Sequence, residues 1–223
     1  METSKKTTSK KKVISEDSII SMYMNDVLSN NSEPKNVFCF CKDQSISETD
    51  FYKFFNSLDA LKKIIWVKFL ENAVATIKKD EAFEKYSDKN KLLTLYFTLF
   101  EILTLNRSFV LFSLSENKQG LKSLATLKEF RNSFKLFIVS IIENDQQTSN
   151  EKIKTVTKPL FSEGAYIQFL FLLKFWMDDT SKEFEKTDIL IEKSVNTVVD
   201  LLNTKPLESL LDLGKFLWKE KMN

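Results

Sequence analysis

Residues 45–55, SISETDFYKFF, set two carboxylates, Glu48 and Asp50, among the rings of Phe51, Tyr52, Phe54 and Phe55. Acidic residues in a first helical turn are favoured by the positive end of the helix macrodipole. An exposed helical carboxylate can equally accept a hydrogen bond from a cytosine amino group. The sequence leaves both readings standing. Elsewhere the chemistry is sparse. The chain has no His, so it lacks the commonest general base and the commonest metal ligand. Cys39 and Cys41 are its two cysteines. Their CFC spacing reads as small apolar side chains on a short helix, because structural zinc wants about four ligands. A disulfide framework is equally unsupported, which points to a reducing compartment. With no nucleophile–base pair, phosphate loop or metal set, the expectation is a binding protein with no catalytic residue, no metal and no cofactor.

These residues need elements to hold them. A chain of 223 residues, 43% hydrophobic and 29% charged, can bury a core as one large domain or two small ones. Gly and Pro number three each, which argues against many turns and short strands and for long helices. Lys and Arg total 33 against 31 acidic residues, so any basic signal for nucleic acid must be local. The opening METSKKTTSKKK is followed by no apolar signal region. The longest apolar stretch, AYIQFLFLLKFWM, contains Lys174 and is shorter than the roughly 18 residues of a membrane span. A soluble, cytoplasmic, all-α protein is expected.

Residues 1–12 form a Lys/Ser/Thr tail that cannot bury anything and is expected to be disordered. From Val13, Ile14, Ile19, Tyr23, Val27 and Leu28 fall near one helical stripe, with Ser15 or Asp17 able to cap it. Pro34 separates this helix from a second, VFCFCK, capped by Asn36. Ser47 caps a third, ETDFYKFF, and Ser57 a fourth, with Leu61, Ile64, Ile65, Phe69, Val74 and Ile77 along its buried side. One long helix, two short ones across a tight turn and another long one make a helix-turn-helix arrangement.

Residues 36–61 resemble the DNA-binding domain of the TetR/AcrR family. Asn36-Val37 open the second helix, Phe40-Cys41 take that family's Ile-Ala places, and Ser45-Ile46-Ser47 its Gly-Val-Ser. Phe51-Tyr52, Phe55, Ser57 and Leu61 follow without a gap. The resemblance implies a helix-turn-helix domain at 13–57 and a helical ligand-binding and dimerisation bundle at 58–223. It implies duplex DNA as a partner, met through Lys10, Lys11, Lys12, Lys35, Asn36, Ser47, Glu48, Thr49, Asp50, Tyr52 and Lys53. The family's turn Gly is Ser45 here, and its phosphate-binding Lys is Leu58. Residues 33–56 hold three lysines against four carboxylates, an unusual balance for a surface that meets phosphates.

After Asp80 the helices lengthen and phenylalanine dominates, reaching 20 in the chain. KNKLLTLYFTLFEILTLN is apolar on almost every side, which predicts a helix enclosed by others. The rings read either as core or as the wall of an apolar cavity made by Tyr96, Phe97, Phe100, Phe112, Phe134, Phe137 and Phe171, taking an apolar small molecule or lipid. By the same resemblance, Phe169, Leu173, Trp176, Val195, Val198 and Leu202 are expected at a homodimer seam. An amphipathic stretch at 207–222 suits docking on its own domain or peripheral membrane contact. Asp179, Ser181 and Glu183 are similar to a short motif of the TetR-fold, lipid-binding proteins of ubiquinone biosynthesis, which leaves a carrier without DNA binding as the alternative function.

Overall fold

The computed structural model describes residues 14–115, 125–142 and 151–202. Every regular element among them is helical, with no strand, as the low Gly and Pro content predicts. The lysines of the amino-terminal tail and the stretch 207–222 lie outside the described residues.

Capping chemistry sets the first boundaries. Helix α1 (Glu16–Asn30) starts in a capping box in which Ser15 and Ser18 each accept the other's backbone N–H, and it ends at Asn31 in a left-handed conformation. Helix α2 (Val37–Asp43) starts where the Asn36 side chain accepts the Cys39 N–H at 2.8 Å. Helix α3 (Glu48–Tyr52) starts where the Ser47 hydroxyl accepts the Asp50 N–H at 3.0 Å, and α4 (Leu58–Ile77) where Ser57 accepts that of Ala60 at 3.1 Å. The sequence extends the third helix to Phe55, whereas α3 closes at Tyr52. There the Phe54 N–H closes back onto the Phe51 carbonyl, leaving Phe55 buried with Phe51 and Phe54 exposed.

One compact unit comprises residues 1–65 and 108–126. Its core runs as a chain of edge-on rings from Phe109 through Tyr23 and Phe40 to Phe51, with centroids 5.9–6.4 Å apart, and Ile19, Val27, Leu61 and Ile65 pack beside it fully buried. Phe109 belongs to α6 (Arg107–Ser115), the helix that gives this unit its non-contiguous piece.

The second unit comprises residues 66–107 and 127–223. It holds the rest of α4 together with α5 (Asp88–Leu105), α7 (Lys128–Ile142), α8 (Glu151–Asp178) and α9 (Glu185–Leu202). Helix α8 packs on α7 and α9, and α5 on α9 and α7. At the centre Trp66, Phe130, Phe134 and Phe169 are fully buried, with Phe130 and Phe169 only 4.7 Å apart. The enclosed-helix expectation for α5 holds on most sides only: Phe97, Glu101 and Leu105, four residues apart, stay exposed. Among the described residues no single helix is long and apolar enough to cross a membrane.

Candidate functional site

The turn between α2 and α3 is tight because Ser45 adopts a left-handed backbone, φ 55°, where an L-residue costs about 1 kcal/mol or more. Its N–H bonds to the Lys42 carbonyl, and the Ile46 N–H to that of Cys41. Phe40, Cys41, Phe51 and Phe55 are buried beneath the turn, which leaves Lys35, Asn36, Ser47, Glu48, Thr49, Tyr52 and Lys53 exposed. Of the expected DNA-contacting residues in this stretch, Asp50 alone is half-buried.

Its carboxylate is occupied. Ser47 Oγ donates to one oxygen at 2.7 Å and Lys53 Nζ to the other at 2.7 Å. Lys53 therefore carries its countercharge with it, while Glu48 has no hydrogen bond or ion pair among the described residues. Glu33 is likewise engaged, by Lys62 at 2.8 Å, and Lys62 also meets Asp59 at 2.9 Å. Burial alone would lower the Lys62 pKa, but the bonds from its two carboxylates outweigh burial and raise it. Burial, then the nearby Glu48 charge, pushes the Cys41 thiol up, so it stays protonated and inert. No group of His, Cys, Asp and Glu able to hold a metal occurs among the described residues. Sequence reasoning missed Phe38, which stands 60% exposed on α2.

The seven expected ligand-binding residues do not share one wall. Tyr96, Phe100 and Phe134 are buried and packed against other rings: Tyr96 on Phe134, and Phe100 and Phe134 both on Phe169. Phe97 and Phe171 are exposed, and Phe112 belongs to the other compact unit. Phe137 does line an open space. It forms, with Leu70, Val74, Ala75 and Ser133, a groove of about 330 Å3 between α4 and α7, flanked by Glu71 and Lys78. The recurrence of Leu70, Val74 and Lys78 at every fourth residue was the available sequence signal.

The residues expected at the dimer seam lie mostly inside the protomer. Phe169, Leu173, Trp176 and Val195 are buried in the protomer's own core, because their faces of α8 and α9 turn inward. Val198 is half-buried, and the Leu202 side chain lies outside the described residues. The exposed apolar row on α8 is Ile167, Phe171 and Phe175, again four apart. A Cβ added at Gly164, one turn earlier, would meet nothing within 4 Å.

Asp179 and Ser181 form the turn between α8 and α9. The buried Asp179 carboxylate accepts from the Ser181 N–H and hydroxyl at 2.8 and 2.7 Å, and from those of Thr187 at 3.0 and 2.6 Å. Burial alone would raise its pKa, yet these four donors hold it down to about 2. Arg107 donates to the Trp176 and Met177 carbonyls at the end of α8, lying 4.4 Å from the Trp176 ring centre.

The family described as tetracyclin repressor-like, C-terminal domain, matches residues 91–217, more than half of the chain. Among curated proteins no match to the chain is found.

Proposed function

The chain belongs to the TetR family of regulators, and from that premise we propose that it acts as a homodimer that binds duplex DNA and releases it when an apolar small molecule binds. The observation that carries this reading is the helix-turn-helix: two short, side-chain-capped helices on one aromatic core, joined through left-handed Ser45, with Thr49, Tyr52 and Lys53 exposed. Phosphate contacts from Lys35, Lys53 and the tail lysines Lys10, Lys11 and Lys12 supply affinity, and Glu48 is the group free to select a cytosine. The exposed row Ile167, Phe171 and Phe175 is the apolar face offered to a second copy. Ligand and operator then act on one equilibrium between a DNA-competent state and a ligand-bound one. Such a regulator works in the cytoplasm.

The test is fluorescence anisotropy of the full-length protein with duplex from its own upstream region, between about 50 and 200 mM salt. Binding that weakens steeply with salt is expected. No binding at the lowest salt overturns the DNA reading.

A second reading keeps the fold and drops the DNA. It is favoured by the pairing of Lys53 with Asp50, which leaves Glu48 the uncompensated charge of α3. In it the second unit carries a lipid or quinone to a partner. Native mass spectrometry of freshly purified protein separates the two, since a carrier retains lipid and ignores the duplex.

A further inference from the structure

The groove between α4 and α7 is apolar along its length and charged at its two ends, and the ends differ. Leu70, Val74 and Ala75 line one side and Phe137 the other. At one end Glu71 is bonded to Lys68, 3.2 Å away, so that end is electrically closed. At the other end Lys78 stands exposed, and its ammonium makes no ion pair or hydrogen bond among the described residues. From Leu70 to Lys78 the helical rise is about 12 Å. The apolar length therefore ends at a cation that no described residue compensates, with Ser133 on the opposite wall.

We infer that the groove takes an anionic amphiphile, an unbranched chain of medium length lying against Leu70, Val74 and Phe137 with its acid group at Lys78. This rests on the reading of the second unit as a ligand-binding domain and adds the chemical class of the ligand. Apolar contact supplies most of the affinity, since each buried methylene tightens binding about 4-fold. The exposed Lys78 supplies discrimination, and an exposed charge pair sets a several-fold preference, up to about 5-fold. A neutral chain of equal length fills the same groove without that preference, and a cationic one is disfavoured at the Lys78 end.

Isothermal titration of the full-length protein with decanoate, decan-1-ol and decylamine tests the assignment. The acid is expected to bind several-fold more tightly than the alcohol, and the amine most weakly. Lys78→Gln keeps the stem and removes the charge, and it is expected to erase the gap between acid and alcohol without changing alcohol affinity. Phe137→Glu is expected to weaken the acid and the alcohol. Equal affinity of acid and alcohol in the parent protein overturns the anionic head while leaving the groove as the ligand site. Failure of all three probes to bind, or binding untouched by Phe137→Glu, overturns the groove itself and leaves DNA binding as a separate question.

Discussion

Lys53 Nζ lies 2.7 Å from Asp50 Oδ1, so the cation nearest the exposed face of α3 is paired within its own turn. The Lys53 side chain is 61% exposed, and a pair of that kind is worth about 1 kcal/mol or less, so a DNA phosphate can compete for it. Asp50→Asn removes the competitor and keeps an acceptor for the Ser47 hydroxyl. Affinity for duplex DNA of any sequence is then expected to rise several-fold, with a logarithmic salt slope steeper by up to about 1. Anisotropy titrations at several salt concentrations measure both. An unchanged slope would show that Lys53 does not meet phosphate.

Asp179 stabilises the turn between α8 and α9 only while ionised. Its folded pKa of about 2 lies below the ordinary carboxylate value of 3.8, so the folded state gains from this group above about pH 4 and loses that gain as pH falls towards 2. Asp179→Ala leaves the buried Thr187 hydroxyl and N–H without their acceptor, at a cost of about 1–3 kcal/mol. Denaturant midpoints at pH 7 and pH 3 are expected to differ less in Asp179→Ala than in the parent. An equal pH dependence would mean that other carboxylates carry the acid sensitivity.

Local chemistry was the legible part of this chain. Ser15, Asn36, Ser47 and Ser57 each sit before an apolar run with a side-chain oxygen for a free helical N–H, and each caps a helix. Ser45 was readable too, because it stands in the family's Gly place and adopts the backbone a Gly would. Tertiary direction was not legible. Periodicity marks Phe169, Leu173 and Trp176 as one apolar stripe of α8 and Ile167, Phe171 and Phe175 as another, without stating which stripe faces the protomer's own helices. The same limit scattered the expected ligand wall, since Phe97 and Phe100 lie three apart on α5 and yet one is exposed and the other buried. The groove needed α4 and α7 side by side, a pairing that no spacing within either helix contains.

The two stripes of α8 give opposite phenotypes. Phe171 is 57% exposed, so Phe171→Glu costs the protomer little stability but sets a charge in the apolar row. A monomeric, folded protein with weakened DNA affinity is expected, read by light scattering coupled to size exclusion. Phe169 is fully buried among Phe100, Phe130, Phe134 and Tyr166, so Phe169→Ala is expected to cost about 3–5 kcal/mol whatever the oligomeric state. A dimer that persists in Phe171→Glu would move the interface off this row.

Phe134 and Phe137 lie on one helix three residues apart and separate core from groove wall. The Phe134 ring is fully buried and touches Tyr96, Phe130, Tyr166 and Phe169. Truncation to Leu there opens a void on all sides, at about 24 cal/mol per Å3, so a loss of about 1–2 kcal/mol is expected. Phe137 is half-buried and already lacks neighbours on its groove side. Its truncation forfeits contacts on one side only, so Phe137→Leu is expected to cost less than about 1 kcal/mol while changing how much apolar ligand the purified protein retains. Urea denaturation of the two variants, paired with mass spectrometry of extracted small molecules, gives both numbers. Similar losses at the two positions, with ligand retention unaltered at Phe137, would make both rings core and remove the groove from the regulatory reading.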